Sequence, residues 1–163
     1  MSARIVLVAL MLCGPVTCGF QLRGDPAVGL RTLQVSAAVP SQVAGEIRRT
    51  LATGPTRVVT DPKDAQAQLR VLEEARDKSV ATITGTGTVY EFELKITVRY
   101  ELTVPGREIP VIAPTETVAK RLITYSASAP IAKEAEEQLL YRDMQVELAG
   151  RILRHVAGAR REM

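Results

Sequence analysis

Between Tyr90 and Val104 every even position is apolar or aromatic (Tyr90, Phe92, Leu94, Ile96, Val98, Tyr100, Leu102, Val104), and every odd one is polar. A period of two over this length excludes a helix, which would scatter those side chains around its axis. The run predicts one long, half-buried strand whose apolar side must be covered. Burying all eight side chains would contribute on the order of 12 to 24 kcal/mol gross, before chain entropy. Fully extended, the run would measure roughly 50 Å, so a bulge or bend within it is expected.

The flanking sequence supplies the partners of this strand. Leu33, Val35 and Ala37 alternate with polar neighbours and predict a first strand. Pro40 stands at a first helical position, Ala44, Ile47 and Leu51 follow at helical spacing, and TGP at 53–55 ends that helix. TRVVT (56–60) predicts a short strand and DPKD (61–64) a turn. Leu69 and Val71 open a strand running toward Thr84, with an interruption expected near residues 73–78 and a reversal at GTG (85–87). PGRE (105–108) turns the chain out of the long strand, and residues 116–126 predict another. Ser128 and Pro130 then introduce a long helix to about Val156. In it Ala132, Leu139, Val146 and Leu153 recur every seven residues, and Leu140, Met144, Leu148 and Ile152 every four. The order β-α-(β)-β-β-β-α predicts an α+β sandwich. Two helices cover one face of a four- or five-stranded, mostly antiparallel sheet, and the other face is polar.

The N-terminus changes the picture from fold to location. Arg4 is the only charged side chain before Arg23, and Ile5–Leu12 is an unbroken apolar run. A basic flank before a short apolar core is the pattern of a secretory signal peptide, too short to span a bilayer. The competing reading is a buried N-terminal strand of a cytosolic protein. With residues 1–17 as the signal peptide, Cys13 leaves with it and Cys18 becomes the single thiol of a mature domain covering 18–163, of which 158–163 is expected to be a frayed tail. A lone thiol in an oxidising compartment is resolved by acylation: more than one acyl chain gives stable anchoring. Pro15 and Thr17 depart from the usual residues before a lipidated cysteine.

Chemistry is sparse. A net charge of +3 over 163 residues, with no Trp and two Phe, offers neither a concentrated basic face nor stacking platforms for nucleic acid. The one histidine, His155, lies near the end of the last helix, where a cation complements the helix dipole. No metal site, cofactor or catalytic constellation is expected. What remains is binding, with basic side chains on or beside the long strand: Arg99, Arg107, Lys120, Arg121 and Lys133.

Three segments carry a resemblance: CGFQLRG at 18–24, the alternating strand followed by VPGREIPV, and a final helix introduced by APIAKEAEEQLLYRDM. In order and spacing they resemble the LPS-assembly lipoprotein LptE family over roughly residues 18–157. The resemblance implies a periplasm-facing outer-membrane lipoprotein of Gram-negative bacteria, acylated at Cys18. It implies a plug in the lumen of the LptD β-barrel in a one-to-one complex, assisting that barrel's assembly and binding lipopolysaccharide. It also implies a fold of two helices on a four-stranded sheet and no enzymatic activity. By position, one of the family's lipopolysaccharide-binding basic residues falls on Lys133. The other falls in the hairpin before the long strand, where this chain has TGTGT, leaving Arg99 and Arg107 as substitutes. The alternatives are a lipid-anchored accessory subunit of another envelope transport complex, and a secreted hydrolase.

Overall fold

The computed structural model of the chain describes residues 28–163. The signal peptide expected over 1–17 and the lipidation expected at Cys18 lie outside them. Five strands are laid down as β1 (Thr32–Ala37), β2 (Arg57–Val59), β3 (Ala67–Ile83), β4 (Val89–Thr103) and β5 (Ile112–Thr124). Helix α1 (Gln42–Ala52) follows β1, and helix α2 (Pro130–Ala159) follows β5. The sheet order is β2-β1-β3-β4-β5. The long central pairings, β3 with β4 and β4 with β5, are antiparallel, while β1 pairs in parallel with both β2 and β3. The expected sandwich is therefore present with a mixed sheet: the α1 crossover between β1 and β2 forces those two strands parallel.

The covered face of β4 is the predicted one. Leu94, Ile96, Val98, Tyr100 and Leu102 are buried, and Phe92 and Val104 pack against the core. Tyr90 is not part of it. It is 51% exposed because the β3–β4 register shifts there, between Thr82/Glu91 and Ile83/Val89. Apolar side chains of α1 (Val43, Ile47, Leu51) and α2 (Met144, Leu148, Ile152, Leu153, Val156) complete the core.

The other departures have local causes. Strand β3 is not interrupted at 73–78 but runs through it, with one extra residue, Leu72, between the pairs Val71↔Tyr100 and Glu73↔Arg99. That single-residue bulge reverses the strand's parity. Ala67, Leu69 and Val71 face the helices before it, whereas Glu74, Arg76 and Lys78 reach them after it. Strand β5 starts at Ile112, earlier than residue 116, and absorbs Ala113 and Pro114 in a register shift between Tyr100↔Thr115 and Leu102↔Ile112. Helix α1 starts at Gln42, not at Pro40, with Ser41 as its cap. Glu74 supports that cap from across the fold: its Oε2 accepts from Ser41 Oγ at 2.6 Å and from Val43 N–H at 3.0 Å. The seven-residue series in α2 is not its buried stripe, since Leu139 and Val146 are more than half exposed. The stripe begins at Tyr141, leaving the first three turns without a buried residue. The helix continues to Ala159, a 3₁₀ turn follows, and Arg160 Nη1 donates to the Gly29 carbonyl at 3.0 Å.

Candidate functional site

The unburied start of α2 stands over the far end of the β3–β4–β5 meander, and a groove opens between them. It encloses about 400 Å³. Phe92, Ile123, Tyr125 and Pro130 form its apolar wall, and Lys78, Lys133, Glu134 and Glu137 stand at its rim. Phe92 and Tyr125 meet edge to face, centroids 6.1 Å apart, a favoured aromatic arrangement. The Tyr125 N–H donates to the Tyr90 carbonyl at 2.8 Å, so the aromatic wall is fixed by a backbone bond just past the end of β5.

Lys133 projects from the first turn of α2. Its Nζ donates to Thr124 Oγ1 at 2.9 Å and to Glu136 Oε2 at 2.8 Å. Lys78, which the Leu72 bulge turns toward the helices, donates to Glu137 Oε2 at 2.5 Å and lies 4.8 Å from the Phe92 ring centroid. Each cation is thus held by a carboxylate of α2, Lys133 by the one a turn along the helix, and Lys78 also rests over an aromatic ring. Farther along α2, Tyr141 has Arg76 5.3 Å from its ring centroid and its hydroxyl donating to the Asp77 carbonyl at 3.3 Å. Burial, reinforced by the nearby Glu137 carboxylate, pushes that hydroxyl's pKa up, so it stays a donor.

The basic residues singled out from sequence do not converge. Arg99 lies on the opposite, helix-free face of the sheet, paired across β3–β4 with Glu73 and 3.8 Å from its carboxylate. Arg107 sits in the turn after β4, at the other end of the sheet, its N–H donating to the Val104 carbonyl at 3.1 Å. Only Lys133 lines the groove, and the cation beside it is Lys78, which periodicity missed. The expected helical face of β3 reads as charged sequence once Leu72 is skipped, so no hydrophobic alternation marks it. His155 is also tied to the sheet: Tyr100 Oη lies 2.7 Å from its Nδ1. Burial raises the Tyr100 pKa, so the phenol keeps its proton. Among the described residues no group of three His, Cys, Asp or Glu could hold a metal ion, and no helix is long and apolar enough to cross a membrane.

Residues 30–156 match the family model described as LptE: Lipopolysaccharide-assembly. The chain belongs to the LptE family. An LPS-assembly lipoprotein LptE of Yersinia enterocolitica is 29% identical over 161 residues, covering 94% of this chain and 76% of its own. One of Pectobacterium atrosepticum is 26% identical over 160 residues, covering 94% and 85%. The fold is similar to the solution structure of lipoprotein B from Nitrosomonas europaea, with a TM-score of 0.74, 26% identity and coverage of 85% of this chain and 90% of that one. Membership of the LptE family makes this a lipoprotein of lipopolysaccharide assembly and not an enzyme. The secreted-hydrolase alternative falls with it.

Proposed function

We propose that the protein is anchored in the outer membrane through an acylated Cys18, released by cleavage of residues 1–17, and faces the periplasm. There it plugs the LptD β-barrel in a one-to-one complex, assists that barrel's assembly, and binds lipopolysaccharide. The LptE match over residues 30–156 carries this reading. The helix-free sheet face supports it, because Glu93, Lys95, Thr97 and Glu101 stay partly exposed there, as suits the polar lumen of a large outer-membrane barrel.

The ligand-binding role is assigned to the Lys133 groove, whose aromatic wall suits an acyl chain and whose rim lysines suit a phosphate. Glu136 and Glu137 already occupy those lysines, so a phosphate enters by exchange, trading one charge-assisted bond for another. Arg99 and Arg107, distant from that groove, would then serve contacts of another kind, with the barrel wall. Co-purification from native membranes tests the partner: LptD is expected with the wild type, and its absence refutes the plug role. Lys133→Glu is expected to weaken lipopolysaccharide binding with circular dichroism unchanged. Undiminished binding removes Lys133 from the site.

A further inference from the structure

Among the described residues, strand β5 is the last in the sheet and no strand lies on its outer side. The Tyr125 N–H donation to Tyr90 sets the β4–β5 alternation, so the backbone groups of Val118 and Lys120 point away from β4. Such an outward row is a template for another strand. Here two outward carbonyls are already taken by side chains. Arg151 Nη1 donates to Val118 O at 2.8 Å, and Arg121 Nη1 donates to Lys120 O at 2.8 Å. Both guanidiniums converge on one carboxylate: Glu147 accepts from Arg121 Nη2 at 2.5 Å and from Arg151 Nη2. Neither arginine is buried, their side chains being 40% and 44% exposed, so the carbonyls beneath them are not being rescued from a dry core. The clasp's effect is to occupy the positions that an incoming strand's N–H groups would take.

The outward residues also say which strand would fit. Turned antiparallel about Val118, β5 places Val118 against Val118 of a second copy, and Glu116 against Lys120 of that copy twice over. Opposite charges directly across a strand pair are stabilising, and like charges are not. Centring the pair on Glu116 or on Lys120 instead sets identical charges face to face. Lys120 is exposed and now donates to Glu93 Oε1 at 3.0 Å, a surface contact that leaves it free to exchange or share partners. The Val118 carbonyl, at the centre of the matched register, is the one that Arg151 covers.

We propose that β5 is a self-complementary edge, closed in the monomer by the Arg121–Glu147–Arg151 clasp, and that releasing the clasp joins two copies antiparallel about Val118 into a continuous sheet. The test measures the molar mass of the purified full-length lipoprotein in detergent by light scattering, corrected for bound detergent, over a range of protein concentrations. The wild type is expected as a monomer. Arg151→Ala is expected to self-associate to a dimer at least about tenfold more tightly, since each copy is relieved of a carbonyl contact that competes with pairing. In that background Lys120→Glu restores the monomer, and Glu116→Lys added to it restores the dimer. An Arg151→Ala protein as monomeric as the wild type overturns the proposal, as does a dimer indifferent to Lys120→Glu. Circular dichroism checks the fold of each variant, and Arg151→Gln provides the same release if the alanine does not fold.

Discussion

Replacing Glu74 by alanine removes an acceptor that β3 supplies to the start of α1, more than thirty residues earlier in the chain. Two bonds are lost at once, to Ser41 Oγ at 2.6 Å and to the Val43 N–H at 3.0 Å. Ser41 itself still caps Ala44 N–H at 2.9 Å, so the helix keeps its local cap and loses only the cross-fold one. A helix-cap bond is worth about 1 kcal/mol. A carboxylate at a helix N-terminus adds about 0.3–1 kcal/mol through the dipole. Val43 is fully buried, which limits water's access to its orphaned N–H and raises the loss further. The sum is about 2 kcal/mol. Urea denaturation followed by circular dichroism reads it as a lower midpoint, by about 1 M if the urea slope is near 2 kcal/mol per molar. Glu74→Gln keeps an acceptor oxygen and loses the charge, so it belongs between wild type and alanine. Ser41→Ala combined with Glu74→Ala should cost less than the two single losses added, because they share one hydrogen bond. A loss below about 0.5 kcal/mol for Glu74→Ala, the range of an ordinary surface change, refutes the argument.

Ile96→Asp places a carboxylate at a fully buried position under α2, where its desolvation outweighs pairing with the exposed Arg76 across the strand, and should leave the chain unfolded or molten by near-UV circular dichroism. Gly29 has φ +71°, and a side chain there would collide with the Arg160 guanidinium, so Gly29→Ala should lower the melting temperature by several degrees, an amount set by about 1–3 kcal/mol of strain. Glu147 is held below the usual carboxylate range, first by its hydrogen bond to Arg121. A depressed folded-state pKa contributes stability above the unfolded value and loses it as pH falls through the folded one. Stability measured from pH 6 down to pH 3 should therefore fall more steeply for wild type than for Glu147→Gln, and parallel curves would count against the linkage.

What the sequence made legible was whatever is half-buried and regular. The covered half of β4 announces itself because one side of it meets helices and the other does not, and α1 because Ala44, Ile47 and Leu51 share a stripe. The distal half of β3 was unreadable for the complementary reason. Residues 75–83 are exposed on both faces, so no alternation is imposed on them and an uninterrupted strand looks like a broken one. Long-range partners leave no local trace either: nothing near Ser41 shows that its second support is Glu74, and nothing near Lys133 shows that Lys78 shares its groove. Arg99 and Arg107 share their charge and their nearness in sequence to the long strand, yet the fold sends them to another face and another end.

The extra residue at Leu72 behaves like a frameshift. Upstream of it the chain spells an apolar inward face, and downstream the same alternation places Glu74, Arg76 and Lys78 inward, where they meet a helix cap, an aromatic ring and a groove. Deleting one residue at that point would leave composition almost unchanged, yet send all three to the opposite side of the sheet. Length changes in this strand are therefore tolerable only in pairs, or beyond Lys78, and a relative that differs by a single residue there must have rebuilt both the support of α1 and the cation beside Lys133.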